Sequence, residues 1–427
     1  MALPLPLQHR AFGRLWTART LSSGGDGFTM VAFMLYATSI RASGITLGIL
    51  LIAEIASTLF SPLLGTLADR FDRGRLMVIA ELTQAVIMGS LALLLPPFPV
   101  IVALAFARAV MASLVRASAS SALPGYIHPD ALAAGNAWLR GGEEGANIIG
   151  PMLAGVLAPF IGIAGLFAFD AATFLVAGLA LVALKPPHPV PAEDDAPPEE
   201  ASLLGGSGAG LRYVWRHPVA RAIAIALFVF VLFAALENVP RPFLAQHDFH
   251  AGAFGIALLF AAPQLGMVLG LASMARIGGG PRIKATLFTG MAVYGVGSFV
   301  TAASPMIWIA VAGQMLTGFG NGIEVGCVDV LLQRTVASRV LGRVFANVYG
   351  GASIAAGLAY ASAGPLLDAT SARTIFAIVG AGCITAAALS ALLLPRGPND
   401  REIPVDLDPS PAPAGPARGE PQPSTPP

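Results

Sequence analysis

Long apolar runs separated by short polar breaks dominate this chain from one end to the other. Stretches of about 20 apolar residues, the length that crosses a bilayer as a helix, recur near 20–40, 45–67, 76–95, 99–120, 137–158, 162–184, 219–240, 252–275, 284–303, 305–328, 342–364 and 372–394. Backbone polar groups in hydrocarbon must be satisfied within the segment, so such runs predict an all-α membrane protein with twelve transmembrane helices. The polar breaks alternate in character. Those after the even-numbered runs, with both chain ends, hold nearly all of the 25 Lys and Arg, and the opposite breaks keep only Arg41, Arg241 and Arg373. By the positive-inside rule both termini are expected in the cytoplasm.

Composition agrees and narrows the function. Hydrophobic residues make up 55% of the 427, charged residues 11%, and mean hydropathy is +0.73, against roughly 25% charged in an ordinary soluble domain. A net charge of +1 with no basic and aromatic run gives no case for nucleic acid. Cys327 and Cys383 each sit in an apolar run without neighbouring ligands, so neither a disulfide framework nor a metal site is expected. No His-rich metal spacing, Gly-rich phosphate loop with Lys, nucleophile elbow or large extramembrane domain is present. An enzyme is therefore not expected, no cofactor is implied, and any transport must draw on a gradient. His9, Arg10, Arg14 and Arg19 precede a first run that is long and lacks a cleavable small-residue ending, which reads as a retained helix.

The longest break, 185–218, contains KPPHPVPAEDDAPPEE, GGSGAG and a basic LRYVWRHPVAR, and reads as a flexible linker on the cytoplasmic side. It divides the chain into a six-helix bundle over 1–184 and a second over 219–394, followed by a proline-rich disordered tail over 395–427. A faint internal repeat at an offset of 209 residues supports the division: Gly141 and Gly142 meet Gly350 and Gly351, Ala154 and Gly155 meet Ala363 and Gly364, and Phe167 meets Phe376. Parallel halves related by an axis along the membrane normal are a known transporter repeat.

Between the second and third runs lies GTLADRFDRGR. Together with twelve spans and a central linker, it resembles the major facilitator superfamily, whose signature there is Gly-x-Leu-Ala-Asp-Arg-x-Gly-Arg-Arg/Lys. Gly65, Leu67, Ala68, Asp69 and Arg70 match in place, and Asp72, Arg73, Gly74 and Arg75 follow. Asp72 stands where glycine is usual, which is similar to the enterobactin-exporter and macrolide-efflux branch. SSGGDGFT in the first run, ALPGYIHPDALAAGNAW before the fifth and FDAATFLVAG in the sixth extend the likeness. The resemblance implies two pseudo-symmetric six-helix bundles and a gate in which Gly65, Asp69, Arg70, Asp72, Arg73 and Arg75 work at the cytoplasmic mouth. Asp69 is then expected to contact the start of the eleventh helix near Gly342 and Arg343, and Gly65 to permit close helix approach. The other reading is that these charges only enforce topology.

Charges inside spans are costly, roughly 2.5 to 3.5 kcal/mol each at a helix centre, and should face a cavity or a partner. Asp26, Glu54, Arg108, Glu143, Glu144 and Asp170 all belong to the first half, whereas the second carries only Glu237 and Glu324 near span ends. Asp26, Glu54, Arg108 and Glu143 are the proton-coupling candidates. Asp26, set among small residues, is the leading carrier, with satisfaction by backbone donors or by Arg19 as its alternative; Arg108 occupies the place of the family's Arg-x-x-Gln-Gly arginine, with Met111 and Ala112 replacing Gln and Gly. A static interhelical ion pair is the other reading of Arg108, and Asp170 and Glu144 read as structural. Gly150, Pro151 and Gly155 resemble the helix 5 antiporter motif, which implies export and a helix able to bend. Asn147, Phe228, Phe233, Tyr294 and Tyr360 are the substrate-cavity candidates, with the middle of the second half expected to be apolar.

Taken together these readings predict a monomeric, multi-pass transporter of the bacterial inner membrane. Its partners are the lipid bilayer, protons and a small amphipathic substrate such as a siderophore, macrolide or other drug. A lysophospholipid transporter, or a membrane sensor or assembly partner keeping the fold without transport, are the alternatives.

Overall fold

Helix is what this chain forms over nearly all of the residues that the computed structural model describes, 9–41, 43–128, 131–184, 203–277 and 282–394. In chain order the helices are α1 (Arg10–Leu35), α2 (Gly44–Ala56), α3 (Ser61–Arg70), α4 (Arg73–Leu94), α5 (Phe98–Ala122) and α6 (Leu132–Val182). After them come α7 (Leu203–Arg216), α8 (Pro218–Ala234), α9 (Pro240–Phe243), α10 (Gly252–Ile277), α11 (Ile283–Ala303), α12 (Ile307–Thr335), α13 (Ser338–Ala369) and α14 (Ala372–Leu393). Among the described residues nine helices are long and apolar enough to cross a membrane. That number treats all of α6 as one helix, although it covers the fifth and sixth expected spans. Its ladder breaks at Gly162, with φ 65° and ψ −176°, a conformation essentially reserved for glycine. The second expected span is likewise split, because Ser57 and Thr58 bond back to the Glu54 and Ile55 carbonyls at 2.8 and 2.7 Å and Pro62 opens α3 without an N–H to give.

Two expectations about boundaries change. Part of the presumed linker, Leu203–Arg216, is helical, with Tyr213 and Val214 buried and Gly210 against Arg343 and Asn347. Its apolar face outweighs the glycines in GGSGAG. Residues 185–202 and the tail 395–427 lie outside the described residues. The seventh span does not stop at Pro240 but runs on as an apolar segment over Pro218–Asp248, because Pro240 starts a helical turn, where a missing N–H costs nothing.

Small residues bring the helices close, the usual device where lipid removes the hydrophobic drive between them. Gly24 and Gly27 of α1 lie on Gly150 and Pro151 of α6, where a Cβ at Gly150 would stand 2.3 Å from the Gly24 carbonyl oxygen. One apolar cluster joins Phe12, Leu15, Met77 and Val115, and another joins Phe230, Met291, Leu331, Val344 and Ile375. A third draws on both stretches of chain, packing Met34 and Leu47 against Phe243, Leu259 and Phe376. At that end α2 meets α13, where a Cβ at Gly364 would lie 2.6 Å from Ile45 Cα and the Gly44 N–H donates to Asp368 Oδ1 at 3.2 Å. The first limb of α6 meets α10 in the same way: a Cβ at Gly155 would lie 2.5 Å from Ala257 Cβ. At the opposite end the same two stretches stand apart around a cavity of about 690 Å³, with Arg19, Arg116, Glu143 and Glu144 on one wall and Val325 and Asp329 on the other. One end is closed and the other open.

Candidate functional site

Arg108 is the centre of the polar interior. It projects from α5, is only 7% exposed, and binds two carboxylates: one guanidinium nitrogen, Nη1, pairs with Asp26 of α1, and Nη2 donates to Glu54 Oε2 of α2 at 2.5 Å. The planar fork of arginine suits two acids from different helices, which a lysine could not hold in this way. The acids are less buried than their partner, Asp26 being 33% exposed at its side chain. They line a cavity of about 340 Å³ with Ser57, Arg108 and Arg116, and Asp26 also faces a second, of about 380 Å³, whose far wall carries Asn238, Arg241, Gln264 and Tyr360. With both acids ionised the triad holds one excess negative charge in a low-dielectric setting. Glu54 Oε1 and Arg108 Nε are buried without a hydrogen-bond partner among the described residues.

Further acids surround the triad. Asp170, fully buried on the second limb of α6, accepts from Thr29 at 2.5 Å and Thr173 at 3.2 Å. Glu81 of α4 is also fully buried, accepts from Ser22 at 3.2 Å and leaves its other oxygen unpartnered. Glu81 is not among the sequence-derived candidates, although it is a lone acid within the apolar run 76–95. Glu143 stands away from the triad, in an ion pair with Arg19 at 2.6 Å beside the open mouth. Arg19 is thus engaged by Glu143 while Asp26 is held by Arg108.

The expectation of an apolar second half is corrected by Arg241. Read as a residue of an outer loop, it lies 4% exposed inside the protein, because the seventh span continues past Pro240. Its Nη2 pairs with Glu237, one turn earlier, and Nη1 donates to Asn238 Oδ1 at 3.2 Å. Glu237 also accepts from Tyr294 at 2.9 Å and Ser298 at 3.4 Å, and Asn238 donates to the Tyr360 hydroxyl at 3.3 Å.

Of the cavity candidates, Asn147 and Tyr360 line the space that Asp26 faces. The others do not. Tyr294 is buried as a donor to Glu237, Phe233 packs on Gly382 of α14, and Phe228 lines a separate cavity of about 290 Å³ beside α7 with Trp215 and Arg221. Helix rotation decides which face an aromatic presents, and composition does not encode it.

The loop between α3 and α4 is held by its own charges. Asp72 caps α4 by accepting from the Arg75 N–H at 2.8 Å. Arg73 donates to the Ala68 carbonyl at 3.3 Å and the Ser121 carbonyl at 2.6 Å, tying the C-terminal ends of α3 and α5 together. Arg70 and Arg75 are exposed, and the side chain of Asp69 lies outside the described residues. Gly65, expected to permit close approach, faces open space: no atom stands within 4 Å of where its Cβ would be. On α6, Gly150 and Pro151 form the seam with α1 and Gly155 the contact with α10.

A helical membrane protein with an ionic centre beside cavities between its two stretches of helices is a transporter architecture. The family model described as Major Facilitator Superfamily matches residues 15–278 and 232–422, and the chain belongs to that superfamily. It is accordingly a multi-pass membrane transporter of small molecules and not an enzyme. It is 26% identical over 386 residues to the multidrug efflux pump Tap of Mycolicibacterium fortuitum, covering 84% of this chain and 90% of that protein. It is 28% identical over 354 residues to the enterobactin exporter EntS of Citrobacter koseri, covering 80% and 82%. Solved structures agree in fold. The nucleoside transporter NupG superposes with TM-score 0.73 at 13% identity, covering 90% of this chain and 99% of that one. A bacterial homolog of the human lysosomal transporter Spinster, inward-facing and occupied, gives 0.72 at 14%, covering 92% and 97%.

Proposed function

We propose that this protein is a proton-coupled exporter of the bacterial inner membrane, with both termini cytoplasmic, that moves small amphipathic molecules of the drug or siderophore type by alternating access. Acting as a monomer, the two six-helix bundles, 1–184 and 219–394, rock about the central cavities. The similarity to a multidrug efflux pump and an enterobactin exporter supports the direction and the substrate type. The observation that carries the reading is the shared hold of Arg108 on Asp26 and Glu54 at the cavity wall.

The chemistry follows from charge. One guanidinium between two carboxylates leaves a net negative charge that either a proton or a basic group of the substrate neutralises. Exclusive occupation of that position makes uptake of one ligand release the other, which is exchange. Asp26, Glu54 and Arg108 are assigned to coupling, and Glu143 with Arg19 to the mouth. A proton crossing about 100 mV releases roughly 2.3 kcal/mol, enough for about fiftyfold accumulation per charge.

Efflux into everted membrane vesicles under an imposed pH gradient tests the proposal. Asp26→Asn and Glu54→Gln are expected to insert normally and lose gradient-driven transport. Full gradient-driven transport by both variants would end the coupling assignment, and no transport by the parent protein across a broad compound panel would end the exporter reading.

A further inference from the structure

We propose that Arg241 is an anion-binding subsite of the central cavity, and that the transported class carries an acidic oxygen group, a carboxylate or phenolate, opposite a basic or donor-rich end. The proposal rests on the exporter reading and adds to it which chemistry the second half recognises.

Arg241 lines the same cavity of about 380 Å³ as Asp26, from the opposite wall. A guanidinium has five N–H donors. Among the described residues, Nη2 meets Glu237 and Nη1 meets Asn238, one acceptor for each two-donor nitrogen, while Nε is buried without a partner. Glu237 draws on more than Arg241, since Tyr294 and Ser298 also donate to it. The Nη fork therefore has N–H groups for a ligand, and Glu237 is well supplied. The Phe260 ring lies 4.6 Å below the guanidinium and fixes its plane, and Asn238, Gln264 and Tyr360 add polar groups to the same wall.

The first half has the reverse balance. Two acids share one arginine there, Asp26 facing this cavity and Glu54 the neighbouring one of about 340 Å³. The Arg241 cavity thus runs from a wall carrying the Asp26 carboxylate to a donor-rich wall. A molecule with a basic end and an acidic end satisfies both at once, its basic end displacing the coupling proton and its oxygens meeting the arginine fork. A purely cationic molecule leaves the second wall unmet.

A pair of dyes that differ only in this group tests the proposal. Rhodamine 110 carries a free carboxylate beside its cationic ring system, and rhodamine 123 is its methyl ester. Uptake of each into everted vesicles holding the full-length protein is compared for the parent, for Arg241→Lys and for the double variant E237Q/R241Q, which removes both charges together and so leaves no unpaired buried carboxylate. The parent is expected to move rhodamine 110 at least fivefold faster than the ester, and the double variant to lower that ratio at least tenfold. Arg241→Lys, which keeps a cation beside Glu237 without the fork, is expected to lower it severalfold, so the proposal stays testable if the double variant misfolds in size-exclusion chromatography. Equal loss of both dyes, an unchanged ratio, or a parent that prefers the ester or moves neither dye overturns it. In the last case the exporter reading is judged separately by its compound panel and pH-gradient assay.

Discussion

Gly155 of α6 and Gly364 of α13 stand 209 residues apart in sequence and occupy matching places at the closed end, each where a helix of one half crosses onto the other. Gly155 meets Ala257 and Gly364 meets Ile45, so two equivalent crossings, α6 with α10 and α13 with α2, seal that end. The weak sequence repeat thus marks paired contacts.

Side chains at these positions should hold the end open. Gly155→Val and Gly364→Val are each expected to insert and to reduce transport at least tenfold. Labelling of a cysteine at position 30 by an impermeant maleimide, in a background lacking Cys327 and Cys383, should rise from the side opposite the open mouth. Unchanged labelling would show that the crossings do not seal it.

Removing Arg108 leaves two acids facing the cavity without the cation that binds both. Arg108→Ala is expected to lower stability by about 3 kcal/mol, the lower end for breaking a buried pair because both acids are partly exposed. Combining it with Glu54→Gln should recover part of that loss. Thermal unfolding in detergent checks both, and transport should be absent in each.

His217 is expected to give a stability term that depends on pH. Its Nδ1 accepts the Ala220 N–H at 3.2 Å and so caps α8, which requires the neutral ring. Burial holds its pKa below the usual 6.5. The unfolded chain therefore takes up a proton more readily, and the cap's contribution is fully present above about pH 6.5 and declines as the pH falls below it. His217→Asn, which also caps, should remove the dependence, and His217→Ala should cost about 1 kcal/mol at neutral pH. Thermal midpoints from pH 5 to 8 would show it; the same slope in the Asn variant would assign the effect elsewhere.

Arg73 should matter more for the loop than its neighbours. Arg73→Ala breaks the tie between the ends of α3 and α5, and is expected to speed trypsin cleavage at the exposed Arg70 and Arg75 severalfold. Arg75→Ala should leave cleavage at Arg70 within twofold. Equal effects would mean that charge alone shapes the loop.

What was legible in the sequence follows from what composition encodes. Apolar run length marked the helices, because lipid admits few alternatives, and lone charges at Asp26, Glu54 and Arg108 marked residues that needed partners. Their meeting was not encoded, since it depends on how α1, α2 and α5 rotate. Arg241 was misplaced because Pro240 reads as a span end although it serves as a helix start, and that single boundary hid the polar cluster of the second half. Phe228, Phe233 and Tyr294 were assigned to the cavity from their type alone, and type does not say which way a ring turns.

Gly162 joins the two limbs of α6 through one residue in an extreme backbone state. With a single residue between them, the adjoining ends of the limbs are tied at one point, and Glu143 at the mouth and Asp170 in the interior sit on the two arms so joined. Lengthening that joint by a few residues is expected to loosen the tie without altering the residues of either arm.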